Sequence, residues 1–236
     1  MKKRLLAVIL AITTAIMGTA LTGCGSTTDT SGAKAGAGEL NIFVWTEYVP
    51  DSVIEKFEKE TGIKVNMSTF SSNEDMLSKV KSETPGAYDI VQPSDYMVEQ
   101  MIAQDMLAEL DFEKLPNFSN IGDSYKNPSY DPENKHSVPY MGGAGAIVVN
   151  KDKIDKEITS YADLYDPALE GQLVVLDDFR AVIGMTNRVL GYDFNETDSA
   201  KLADTEAKLM ELKNNIVLYD SDSPKSAIIA GDCAAG

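Results

Sequence analysis

Two periods of hydrophobic and polar residues alternate along residues 39–107. Short apolar runs or period-two alternation predict β-strands over residues 40–45, 63–69 and 88–92. Helical spacing of apolar side chains predicts helices over residues 51–60, 73–82 and 95–107. The side chains expected to face the sheet are Val53, Ile54, Phe57, Met76, Leu77, Val80, Val98, Met101 and Ile102. This β-α-β-α-β-α order predicts a mostly parallel sheet covered by helices.

Residues 111–139 show neither the strand nor the helix period of apolar residues, which predicts either a surface excursion or the approach to a hinge. Clustered glycines at residues 142–145 then supply the backbone freedom of a hinge. A second α/β unit follows, with strands predicted over residues 146–150, 172–176 and 216–219 and helices over residues 179–190 and 199–213. We therefore predict an α/β protein of two lobes, residues 39–141 and 142–236, which close over a ligand. Because residues 227–236 begin an element that nothing closes, we expect a truncated chain with an incomplete second lobe.

The N-terminal residues predict export. A positive stretch, Lys2-Lys3-Arg4, precedes an apolar run over residues 5–17, which is shorter than the roughly 20 residues of a membrane span. Leu21-Thr22-Gly23-Cys24 resembles the lipobox of bacterial lipoproteins, so we predict a signal peptide over residues 1–23 and a lipid on Cys24. The alternative is ordinary secretion with cleavage after Ala20. Either location is extracytoplasmic, on the outer face of the cell membrane or in the periplasm.

Small and polar residues over residues 24–38 predict a flexible tether between the lipid and the lobes. The chain has 37 acidic and 21 basic residues, and loss of the signal peptide would change its net charge from −16 to −19. Such a charge disfavours nucleic acid and attracts cations, although solubility alone also explains an acidic surface. Cys233 would lack a disulfide partner once Cys24 is acylated, and we expect it to be a small buried residue.

Candidate ligand-binding residues follow the first and third predicted strands. In parallel sheets, ligands bind outside the carboxyl ends of the strands. The turns at those ends carry aromatic, acidic and hydroxyl side chains: Trp45, Thr46, Glu47, Tyr48, Ser94 and Tyr96. Carboxylates that bind ammonium groups, beside aromatic faces that contact alkyl segments, form a pocket suited to a polyamine.

Longer motifs carry a family resemblance. Trp45-Thr46-Glu47-Tyr48-Val49-Pro50, Tyr88-Asp89-Ile90-Val91 and Val175-Leu176-Asp177-Asp178 resemble the spermidine/putrescine-binding proteins of ABC importers, over about residues 40–231. The resemblance implies a type II periplasmic-binding-protein fold. It also implies that Trp45, Tyr48 and Tyr96 wall the alkyl chain, that Thr46, Glu47 and Ser94 contact one amine, and that Asp178 and Ser221 contact the ligand from the second lobe.

Each of these residues also has a purely structural interpretation. Trp45 could be a core aromatic, Glu47 a solvated charge, Asp178 a helix cap and Ser221 a turn residue. The chain departs from the family at Ala181, where members can carry a second acid. The remaining aromatic walls of the family belong to positions beyond Gly236, so we expect this chain to carry only part of the pocket.

We therefore predict a monomeric, membrane-anchored solute-binding protein that captures a polyamine and delivers it to an ABC permease, without a cofactor or metal. Alternatives are the same fold for another cationic or amino-acid-like solute, and a ligand-sensing lipoprotein. An enzyme is disfavoured, because the single histidine, His136, lies in a polar loop and no nucleophile, phosphate-binding or metal motif is present in the sequence.

Overall fold

The computed structural model describes residues 38–236. The predicted signal peptide, Cys24 and most of the predicted tether lie outside the described residues. Within residues 38–236, no helix combines the length and the apolar character that crossing a bilayer requires.

The order of elements confirms an alternating α/β architecture. The helices and strands are β1 (Glu39–Trp45), α1 (Asp51–Thr61), β2 (Lys64–Phe70), α2 (Asn73–Ser82), β3 (Ile90–Val91), α3 (Asp95–Ala103), β4 (Leu173–Val175), α4 (Phe179–Val189), α5 (Ser199–Leu212), β5 (Ile216–Tyr219) and α6 (Pro224–Ala230). Two parallel sheets result, one in the order β2-β1-β3 and one pairing β4 with β5. The predicted strand over residues 88–92 is confirmed only as the two-residue β3.

Local signals set the bounds of the first-lobe helices. Gly62 ends α1 in the left-handed region, at φ 71°, and its N–H donates to the Glu58 carbonyl. Ser72 precedes α2, and its hydroxyl accepts a hydrogen bond from the Asp75 N–H. The core between sheet and helices contains Phe43, Phe70, Met76, Met97 and Met101.

Most predicted inward positions of this lobe are buried or packed against the core, but the prediction for Val53 is wrong. Its side chain is 54% exposed, and α1 has no buried residue. The reason is that α1 packs beside β2, an edge strand, so the sheet covers only part of its inner face.

The region over residues 111–139 is an ordered surface excursion made of short 3-10 turns. Buried Asp131 organises one of them, because its carboxylate accepts hydrogen bonds from the His136 N–H and the Ser137 hydroxyl. In the following segment, Gly142 and Gly145 do not adopt positive φ. They instead allow close approach, since a Cβ at Gly142 would lie 3.1 Å from the Tyr125 ring. The hinge at this segment stays a prediction.

The second lobe differs from the prediction at its first strand. Residues 146–150 form only an isolated bridge, between Val149 and Ala235, and not a strand. The reason is that backbone pairing is confined to residues 148–150 and 234–236. Val148 and Gly236 exchange two hydrogen bonds, the Asn150 N–H donates to the Ala234 carbonyl, and Ala235 also bridges to Leu173 of β4. Cys233 is 2% exposed, as expected, and forms no disulfide within residues 38–236. Burial raises the pKa of its thiol.

Candidate functional site

The loop after β1 is fixed to the neighbouring strand β2. Trp45 ends β1, and its ring centre lies 4.7 Å from that of Phe70 and 6.2 Å from that of Tyr48. The Thr46 N–H and hydroxyl both donate to the Phe70 carbonyl, at 3.2 and 3.4 Å. Trp45 and Tyr48 are therefore brought together, with the Trp45 ring half in the core as its structural interpretation expects.

A tight turn projects Glu47 into solvent. Its φ is 63°, an uncommon value for a residue with a side chain, and the Tyr48 N–H closes the turn on the Trp45 carbonyl at 3.2 Å. The Glu47 carboxylate accepts a hydrogen bond from the Lys225 ammonium of α6, 2.5 Å away. Glu47 is thus not an unpaired loop charge, because it contacts a cation from the second lobe.

One buried amide holds the predicted residues Ser94 and Tyr96. Asn73, at the start of α2, is 1% exposed. Its Nδ2 donates to the Ser94 hydroxyl at 3.0 Å and to the Tyr96 hydroxyl at 2.9 Å, and its Oδ1 accepts from the Ser94 N–H at 3.1 Å. The Tyr96 hydroxyl in turn donates to the Glu74 carboxylate at 3.1 Å. This network orients the Tyr96 ring.

Tyr96 links the two lobes. Burial raises the pKa of Tyr96 to about 12, and the negative charges of Glu74 and Asp178 add to that effect. Asp178 belongs to the second lobe, where it precedes α4. The Arg180 guanidinium lies 3.9 Å from the centre of the Tyr96 ring. The Asp178 carboxylate also accepts from the Ala181 N–H at 3.0 Å, so the expected helix cap is present.

Ser221 lies in the turn after β5 and contacts no other predicted site residue by hydrogen bond. Within residues 38–236, its hydroxyl and the Gln92 side-chain oxygen are the two buried side-chain polar atoms without a partner. Such atoms are costly unless another group satisfies them. The neighbouring Asp220 accepts from the N–H groups of Asp222 and Ser223, so it shapes a turn. Among the described residues, no acidic, histidine or cysteine cluster suits a metal ion.

The predicted residues do not share one closed cavity. An open hollow of about 490 Å³ is lined by Phe43, Phe70, Tyr88 and their neighbours. None of the predicted site residues lines it. A second, of about 390 Å³, is lined by Asp178 together with Phe179, Tyr219 and other mainly apolar side chains. The predicted residues are instead distributed over the strand ends of both lobes, where Lys225 and Arg180 connect them.

Four residues of this region have no counterpart in the sequence-based prediction: Asn73, Glu74, Arg180 and Lys225. The strand-end rule, applied to β2 as well, would have pointed to Asn73 and Glu74, which follow that strand. No local signal marks Lys225, because its partner Glu47 lies 178 residues away along the chain.

Comparison with known proteins agrees with this architecture. The Escherichia coli K12 spermidine/putrescine-binding periplasmic protein is 43% identical over 198 residues, covering 84% of this chain and 57% of that protein. The crystal structure of the spermidine/putrescine ABC transporter substrate-binding protein of Streptococcus pneumoniae superposes with a TM-score of 0.66 at 36% identity, over 85% of this chain and 62% of the other. A Treponema pallidum lipoprotein superposes with a TM-score of 0.76 at 33% identity, over 84% and 62%.

The described fold is thus the two-lobed, type II periplasmic-binding-protein architecture. The chain spans somewhat under two thirds of the length of these relatives. Residues 52–236 match the family of bacterial extracellular solute-binding proteins, whose members bind solutes. The chain belongs to the bacterial extracellular solute-binding protein family.

Proposed function

We propose that the chain is the substrate-binding part of an ABC importer and binds a polyamine, such as spermidine or putrescine, between its lobes. The observation that carries the proposal is that the lobes meet at Tyr96: the Arg180 guanidinium, on the second-lobe helix that Asp178 caps, lies 3.9 Å from the centre of the Tyr96 ring. The E. coli and S. pneumoniae relatives are named for spermidine and putrescine, which supports this ligand class.

The chemistry of a polyamine fits these side chains. Each ammonium group needs a carboxylate or hydroxyl partner, and a charge-assisted hydrogen bond contributes about 1.5–3 kcal/mol. Each buried methylene adds about 0.8 kcal/mol, and aromatic faces provide that burial together with cation–π contact. A few of each reach the ~8 kcal/mol of a micromolar binder after ordering costs.

The proposed contacts divide between the lobes. Trp45, Tyr48 and Tyr96 flank the alkyl chain from the first lobe. The polar contacts in that lobe come from Thr46, Glu47 and Ser94. From the second lobe, Asp178 binds an ammonium group, and the Ser221 hydroxyl, which has no partner among the described residues, accepts or donates a hydrogen bond to the ligand.

Selectivity among amines follows from the position of the acids. Burying an ammonium without a carboxylate partner is costly. Position 181, three residues after Asp178, holds an alanine, whose N–H instead contacts the Asp178 carboxylate. We propose that this lobe offers one carboxylate where other family members can offer two, and that spermidine and putrescine are therefore distinguished less sharply.

The location and delivery steps complete the proposal. Residues 1–23 direct export, Cys24 carries the lipid, and the tether to residue 38 holds the lobes at the outer face of the membrane. The lobes, residues 39–141 and 142–236, close about the segment near residues 142–145. The closed monomer then presents the polyamine to a permease.

A thermal-shift panel on the full-length product of this gene tests the ligand class. Ligand at 100 times its dissociation constant stabilises by about 2.7 kcal/mol, which raises Tm by roughly 5–10 °C for a protein of this size. We expect that shift with spermidine or putrescine and none with neutral amino acids or sugar phosphates. A shift with amino acids alone would favour the alternative solute. Neighbouring permease and ATPase genes would separate an importer from a sensor.

A further inference from the structure

The Glu47 carboxylate is occupied by a cation of the protein itself. The Lys225 ammonium of α6 lies 2.5 Å from Glu47 Oε2, and this ion pair joins the second lobe to the first. Both side chains remain more than half exposed. A small amine that reaches this place therefore meets a carboxylate that already has a partner.

A second cation-binding group is occupied in the same way. The Tyr96 ring, which the proposed function places against the alkyl chain of the ligand, is covered by the Arg180 guanidinium at 3.9 Å. Arg180 and Lys225 lie on different helices of the second lobe, and each contacts a group that the proposed function assigns to the ligand. Two first-lobe groups, the Glu47 carboxylate and the Tyr96 ring, therefore each contact a cationic side chain of the second lobe.

We propose that Lys225 competes with the ligand for Glu47 and so determines affinity and selectivity, an inference that rests on the proposed function. The ligand ammonium then weakens or displaces the Lys225 contact, because two ammonium groups that share one carboxylate repel each other. Binding is then an exchange of one cation for another. Selectivity follows, because a ligand with further ammonium groups for Asp178 offsets the lost ion pair better than a monoamine does.

Calorimetric titration of the full-length product with spermidine, putrescine and propylamine tests this exchange. Lys225→Met removes the internal ammonium but keeps a long side chain that favours helix. Lys151→Met is the matched control, since it removes the same charge from an exposed turn of the second lobe. Lys225→Arg retains a cation for Glu47.

We expect Lys225→Met to tighten binding of both polyamines by about threefold to fivefold, in line with the strength of an exposed ion pair, and to improve propylamine binding as well. Lys151→Met and Lys225→Arg should stay within twofold of the unmodified protein. If the unmodified protein binds polyamines and Lys225→Met binds them equally or more weakly, the proposed competition is refuted. Lys225 would then either stabilise the contact between the lobes or have no effect on binding. If no polyamine binds to the unmodified protein, the proposed function fails and this inference fails with it.

Discussion

The Arg180 guanidinium lies 3.9 Å from the centre of the Tyr96 ring, so a cation of the second lobe covers an aromatic face of the first. That ring is held by two hydrogen bonds at its hydroxyl, one from Asn73 and one to Glu74. The contact between lobes thus depends on side chains at strand ends, the same positions from which a ligand would be bound. A ligand ammonium that uses the Tyr96 ring must share it with Arg180 or replace Arg180.

Replacing Asp178 by asparagine separates its two roles. Asparagine caps a helix as well as aspartate does, so α4 and the melting temperature should be nearly unchanged. Loss of the carboxylate charge should weaken polyamine binding at least tenfold, since a charge-assisted hydrogen bond contributes about 1.5–3 kcal/mol. Titration calorimetry measures the effect, with Asp177→Asn as the neighbouring control. Unchanged affinity in Asp178→Asn would mean that Asp178 is a cap only.

Substitutions of Trp45 distinguish a ligand wall from a core residue. Trp45→Ala should weaken polyamine binding at least tenfold, because it removes the largest aromatic face of the first lobe. Trp45→Phe keeps the contact with Phe70 and should lose much less affinity. Affinity is measured by calorimetry and stability by urea denaturation. If both variants lose stability but neither loses affinity, Trp45 serves the core alone.

We expect substitution of Asn73 to lower the stability of the fold, because its side chain holds Ser94 and Tyr96 by hydrogen bonds. Asn73→Ala removes three hydrogen bonds of a buried side chain and leaves the Ser94 N–H without its partner. We expect a loss of about 1–3 kcal/mol in the free energy of unfolding. Exposed Asn195→Ala, the control, should change it by less than about 0.5 kcal/mol. Equal urea midpoints for the two variants would contradict the network described for Ser94 and Tyr96.

Acid sensitivity should arise in part at Asp163. Hydrogen bonds from the backbone N–H groups of Thr159 and Ser160 lower the pKa of its carboxyl to about 2. A lowered pKa in the folded state means that the ionised carboxylate stabilises the fold above the ordinary value, near 3.8, and that this contribution is lost as the pH falls towards 2.

The corresponding experiment follows the urea midpoint from pH 6, well above the ordinary pKa of 3.8, down to pH 2.5, where most of the contribution of this carboxylate is lost. Asp163→Asn should unfold at lower urea than the unmodified protein at pH 6, and the difference should shrink below about pH 4. Asp152→Asn, in an exposed turn, is the control. A difference that stays constant over the whole range would refute the role of the Asp163 charge.

The elements with strong local signals were predictable from the sequence. The helix α2 is confirmed at its predicted bounds because Ser72 caps it and Met76 anchors its apolar face. The position of Trp45 at a strand end was likewise predictable, since a buried strand ends there. The alternation of strands and helices was enough to predict parallel sheets in two lobes.

The remaining features depend on partners that are distant in the sequence. Residues 146–150 have the apolar character of a strand, but their backbone pairing is confined to Val148 with Gly236 and Asn150 with Ala234, which no local pattern indicates. Val53 has the right spacing for burial, yet the edge of the sheet does not extend over it. Lys225 and Arg180 look like ordinary surface cations until folding places them on Glu47 and Tyr96.

Polyamine binding at the end of β1 is tested by the fluorescence of Trp45, the single tryptophan of the chain, during titration with spermidine and putrescine. The indole lies at the end of β1, 6.2 Å from the Tyr48 ring, and the proposal places the ligand's alkyl chain against it. For the full-length product we predict a saturable change in emission with either polyamine and none with sodium chloride at matched ionic strength. If the protein is folded but its Trp45 emission and titration heat both stay unchanged with every aliphatic polyamine, the chain does not bind polyamines.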